Sequence, residues 1–158
     1  MRKRSKYKPK HVNNMAHIIA MQGACKLTRS DALRFSMTLQ DAVDMISQGK
    51  ANKGHWQQIF TVINIMEALV VMGKAKDEGG AISQMQTAVI DVLDRTKKTG
   101  TKALYPQELA TLRDIVAVYT DLLCEITHSE LFAASEMSTK RVIKALTSGD
   151  PDVKVVSV

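Results

Sequence analysis

From Ile59 to Gly73 the chain reads IFTVINIMEALVVMG, an apolar run that has to be buried. Ile59, Val62, Ile63, Met66, Leu69 and Val70 fall three and four residues apart, the spacing that gathers side chains on one face of an α-helix. The run is too short to span a bilayer, which takes about 20 apolar residues, and it carries Asn64 and Glu67. The sequence therefore predicts a helix from about His55 to Gly73 at the centre of the fold, with other elements wrapped around it.

Those other elements also read as helices. Ser30 can cap a helix that carries Leu33, Met37, Val43 and Ile46 and is closed by Gly49. GKANKG is then a turn into the central helix. After KDEGG a third helix carries Ile82, Met85, Val89, Val92 and Leu93 and stops near KKTGT, with Lys97 and Lys98 where the helix dipole favours cations. Pro106 suits the first turn of a fourth, because a missing N–H costs nothing there. That helix runs through Leu109, Leu112, Val116, Tyr119, Leu123 and Ile126. Thr127 and Glu130 have capping-box spacing, so a short fifth helix follows to about Leu146. A weaker pattern over residues 12–27 suggests a short helix around Met15 to Met21, before Gly23.

No segment alternates as a strand does, and aromatic residues make up only 4% of the chain, leaving Leu, Ile, Val, Met and Ala to build a core. The expected fold is all-α: an antiparallel bundle of four main helices, with a short C-terminal helix packed across one end. A chain of 158 residues suits one core. The expected organisation is a basic arm over 1–12, a single helical domain over 13–147 and a tail over 148–158.

The arm is the strongest local signal. MRKRSKYKPK places Arg2, Lys3, Arg4, Lys6, Lys8 and Lys10 within ten residues, with Tyr7 among them and Pro9 holding Lys8 extended. The chain has 22 basic and 16 acidic residues, so taking away these six leaves the two signs balanced at 16 each. Such segregation assigns packing to the body and attraction of an anion to the arm. Six cations and a ring suit an arm laid along a phosphate backbone, cations on phosphates and Tyr7 available to stack. A nuclear localisation signal and a solubilising terminus are the other readings of such a run. A membrane anchor would need a second, apolar signal, and none is visible.

Catalytic chemistry finds no support. GxGxxG, GxxxxGK[ST], HExxH and zinc-type cysteine and histidine spacings are all missing. His11, His17, His55 and His128 are scattered singly, and Asp41 with Asp44 and Asp91 with Asp94 read as solvated helix-face pairs. Arg95, four residues after Asp91, reads as its ion-pair partner. Asn64 and Glu67 read as a register device within the apolar helix, or as a reach toward an oligomer interface or ligand. No catalytic or metal residue and no cofactor is assigned.

The segment MAHIIAMQGAC loosely imitates a lipoprotein signal, but His17 and Gln22 interrupt an apolar stretch that would need about 7–15 residues. A cytoplasmic protein is expected, with Cys25 and Cys124 as buried, reduced thiols.

The stretches KRSKYKPK, QGKANKGHWQQIFTVINIMEALVVMG and ITHSELFAA together resemble a family of small proteins of unassigned function encoded by tailed bacteriophages. The resemblance covers most of the chain through loose motifs and carries no catalytic residue across. It implies a setting, the cytoplasm of a bacterial host. There the expectation is a non-enzymatic accessory or regulatory protein that engages nucleic acid or a host nucleoprotein complex through the basic arm. The alternative is an anti-CRISPR-like inhibitor of a host defence complex that acts by protein–protein contact. A homodimer joined through the apolar helix is a further expected partnership.

Overall fold

Residues 21–148 are described by a computed structural model, and every regular element among them is helical. The protein is all-α. Residues 21–24 are helical, and five long helices follow: α1 Arg29–Ser47, α2 Lys53–Val71, α3 Ala81–Thr99, α4 Pro106–Glu125 and α5 His128–Ser148. A 3₁₀ turn, Glu78–Gly80, precedes α3. The basic arm, the helix expected before Met21 and the tail beyond Ser148 lie outside the described residues.

α2 is central. It buries Trp56, Ile59, Val62, Ile63, Ile65, Met66, Ala68 and Leu69, and it packs on each of α1, α3, α4 and α5. Burying one such large apolar side chain stabilises by about 1.5–3 kcal/mol, so this helix holds the largest share of the core. Its boundaries are set locally. The Asn52 side chain accepts from the His55 backbone N–H at 3.2 Å, and His55 Nδ1 accepts from the Asn52 N–H at 3.0 Å, a capping box with histidine at the third position. At the other end Gly73, φ +69°, and Lys74 donate back to Val70 and Leu69, which satisfies two orphan carbonyls. Gly49, φ +68°, closes α1 in the same way, with N–H bonds from Gly49 and Lys50 to Ile46 and Met45.

Neighbouring helices run antiparallel. Gln58 reaches Thr38 across the α1–α2 turn, and Arg95 reaches Glu108 across the α3–α4 loop. α1 starts beside the end of α4: Lys26 pairs with Glu125, Arg29 with Asp121, and the Leu27 N–H donates to the Ile126 carbonyl. Lys26 and Thr127 form an isolated antiparallel bridge there.

Three expectations are corrected. The fifth helix is not short and does not lie across one end. It has 21 residues and runs along α2, with Lys74–Glu130 and Glu67–Arg141 pairs advancing on α5 while they retreat on α2. Small buried residues, Ala134, Ser138 and Ala145, allow that lengthwise approach. The cap of α1 is Thr28 rather than Ser30, because only Thr28 has an acid at the third position: its hydroxyl donates to Asp31 at 2.6 Å and accepts from the Asp31 N–H. Leu33 and Met37 point to solvent, and the buried face of α1 is Ala32, Ser36, Leu39, Ala42, Val43 and Ile46.

Candidate functional site

The arm residues expected to bind an anion, Arg2, Lys3, Arg4, Lys6, Tyr7, Lys8 and Lys10, lie outside the described residues. The described surface is that of the helical body.

Five of the ion pairs on that surface join separate elements. Arg95 is the most enclosed case. Its guanidinium meets Glu108 through two bonds, Nε to Oε1 at 2.7 Å and Nη2 to Oε2 at 2.6 Å, with both side chains under one-fifth exposed. Nη2 also donates to the Ala103 carbonyl, and the guanidinium stacks 4.4 Å above the Tyr105 ring. Glu108 in turn accepts from the Tyr105 N–H at 2.7 Å, which caps α4. Burial pushes the Glu108 carboxyl up, but the Arg95 bonds and the Tyr105 N–H outweigh it, and its pKa is lowered. The bond to Glu108 raises the pKa of Arg95. One ion pair thus fixes the whole α3–α4 connection. The Asp91 partner expected for Arg95 is replaced by Glu108, since a two-point bond in a sheltered cleft outcompetes an exposed single contact along a helix.

Glu130 is the second sheltered acid. Its pKa falls to about 2 because Lys74 donates to it at 2.8 Å and the Thr127 N–H at 2.9 Å. Glu67, one of the two polar residues in α2, reaches Arg141 on α5 at 3.3 Å, and Asn64 is half-buried. Glu67 therefore serves an interhelix contact within the chain.

The remaining candidates stay apart. Asp41, Asp44, Asp91 and Asp94 are exposed, and Asp44 accepts from Gln40. No group of three or more metal-ligating side chains occurs among the described residues. His55 caps α2, and His128 meets Phe35 edge-on with ring centres 6.3 Å apart. Cys25 is exposed rather than buried, its thiol donating to the Met21 carbonyl, and Cys124 is half-buried. Both are free thiols. Cys25 lies in the turn between the helical residues 21–24 and α1, where residues 24–26 are exposed and Leu27 is the buried one, which is why its thiol escapes the core. A shallow groove of about 240 Å³ lies between α3 and α4, lined by Val89, Asp91, Val92, Glu108, Thr111 and Leu112. Its one sheltered acid is already held by Arg95.

Two exposed surfaces went unnoticed in the sequence. One is apolar: Phe132, Val142, Ile143 and Leu146 stand on the outward side of α5, with Phe132 70% exposed. The other is basic. Lys50, Lys53, Lys97, Lys98 and Lys102 are all exposed, and they come from the α1–α2 turn, the end of α3 and the α3–α4 loop, which share one end of the molecule. A spacing argument sees only neighbours along the chain, so neither a partial helix stripe nor a cluster drawn from two connections stood out. No helix among the described residues is long and apolar enough to cross a membrane. No family model, no curated protein and no solved structure matches this chain.

Proposed function

We propose that this chain is a non-enzymatic accessory protein, encoded by a tailed bacteriophage and active in the host cytoplasm, that engages nucleic acid or a nucleoprotein through its N-terminal arm. The observation that carries the reading is the segregation of charge. Six of the first ten residues are cationic, whereas the remaining 148 residues hold 16 basic and 16 acidic side chains. The helical body serves as platform, and Arg2, Lys3, Arg4, Lys6, Lys8 and Lys10 neutralise phosphates while Tyr7 stacks.

The test is a salt titration of binding to a labelled DNA duplex, followed by anisotropy. Six phosphate contacts give a slope of log affinity against log salt of roughly −5. Replacing the six arm residues by Gln in the full chain should make the slope shallower by about 5 and leave the melting temperature unchanged. A variant that binds as tightly, with the same slope, would falsify the arm's role.

The exposed apolar side chains of α5 favour a second reading, inhibition of a host defence complex by protein–protein contact. It moves ahead if the protein retains a host partner at high salt after nuclease treatment and binds no duplex at low salt.

A further inference from the structure

Between Asp44 and Glu67 the sequence contains no carboxylate, and between Asp94 and Glu108 it contains none either. These two stretches build one end of the bundle, the first as the α1–α2 turn and the opening of α2, the second as the close of α3 and the α3–α4 loop. They meet at Gly49, where a Cβ would stand 3.8 Å from that of Lys102. The cations they bring are Lys50, Lys53, Arg95, Lys97, Lys98 and Lys102.

Arg95 is neutralised by Glu108. Lys50, Lys53, Lys98 and Lys102 make no ion pair among the described residues, and Lys50 donates to the Gln48 side chain. Asp94 stands one turn before Lys98 without closing a pair. At the opposite end of the bundle Lys26, Arg29 and Lys74 each meet a carboxylate. Four lysines, Lys50, Lys53, Lys98 and Lys102, thus stand without an ion pair where the two connections meet.

We propose that this end of the bundle is a second contact for a nucleic-acid backbone, separate from the N-terminal arm. Crowding ammonium groups on a surface is unfavourable and weakly screened at short range, and a polyanion relieves it. Lysines on flexible stems suit phosphates as point charges, without reading sequence. A protein partner would call for an apolar anchor at the centre of the patch. The exposed ring at this end is Tyr105, 58% exposed, with Arg95 over one face and the other free to stack on a base. The proposal extends the nucleic-acid reading of the arm, but it stands on different residues.

The test compares three full-length proteins on one labelled DNA duplex across a salt series: the parent, the parent with its six arm cations changed to Gln, and a Lys50→Gln, Lys98→Gln, Lys102→Gln variant. Losing three phosphate contacts should make the salt slope shallower by about 2.7 and weaken binding at 0.1 M salt by roughly two to three orders of magnitude. The arm variant should retain that residual, lysine-dependent binding. A triple variant with the parent's affinity and slope overturns the proposal, as does an arm variant that binds nothing. If the arm variant binds like the parent and the triple variant does not, the arm reading fails and this one holds. Circular dichroism checks the fold; should the triple variant unfold, Lys102→Gln alone is expected to change the slope by about 0.9, and the matching Lys102→Arg by nothing.

Discussion

Glu130 does two jobs: it closes the capping box of α5 on the Thr127 N–H and accepts the Lys74 ammonium from just beyond α2. Both bonds favour the charged carboxylate, so its pKa lies near 2 against an ordinary 4.5. The unfolded chain takes up a proton first as pH falls, so the stability this group supplies is complete above about 4.5 and is lost on descent toward about 2. Asp31, lowered by its bond from the Thr28 hydroxyl, and Glu108, lowered despite burial, act in the same direction. The melting temperature should therefore fall between pH 4.5 and 2, and Glu130→Gln should lower it at pH 6 while making the acid decline less steep. An unchanged decline in that variant would show that Glu130 does not carry the effect. The Thr127–Glu130 box was legible in the sequence because both partners lie within one turn. The partner of Arg95 was not, because Glu108 lies on another helix and only folding brings the two side chains together.

At the scale of elements, legibility followed side-chain size. α2 could be placed at the centre from its sequence, since its large apolar residues share one face and eight of its residues are buried. α1 was misread in its first half because the face it buries there is small, Ala32 and Ser36, while the larger Leu33 and Met37 face water. A pattern that weights bulky residues follows the wrong stripe. Two substitutions of the same chemistry separate the readings. Leu69→Ala, at a fully buried position of α2, should cost about 2–5 kcal/mol in urea unfolding. Leu33→Ala, half exposed on α1, should change stability by no more than about 0.5 kcal/mol. Similar losses at both would restore the sequence reading of α1. The basic arm is read directly from ten consecutive residues, whereas the lysine end exists only because Gly49 and Lys102 become neighbours.

For the whole molecule, the decisive fact is that α2 touches every other long helix while α5 is held mainly through α2. α5 contributes Leu131, Ala134 and Met137 to the common core. It has no core of its own, so it cannot outlast α2. The converse would have α5 detach first and leave the other helices standing. Detachment would strip the cover from one side of α2 and break both the Lys74–Glu130 and Glu67–Arg141 pairs. Uncovering apolar area at roughly 25 cal/mol per Å² makes such a partly opened state costly, and domains of this size normally unfold in one step. The chain has a single tryptophan, Trp56, and it is buried in α2, so its fluorescence follows the centre while far-ultraviolet circular dichroism follows all five helices. The two signals should fall together through one urea transition with a common midpoint. Loss of about a fifth of the helical signal, the share held by α5, before Trp56 responds would show that the last helix is a separate unit docked on a four-helix body.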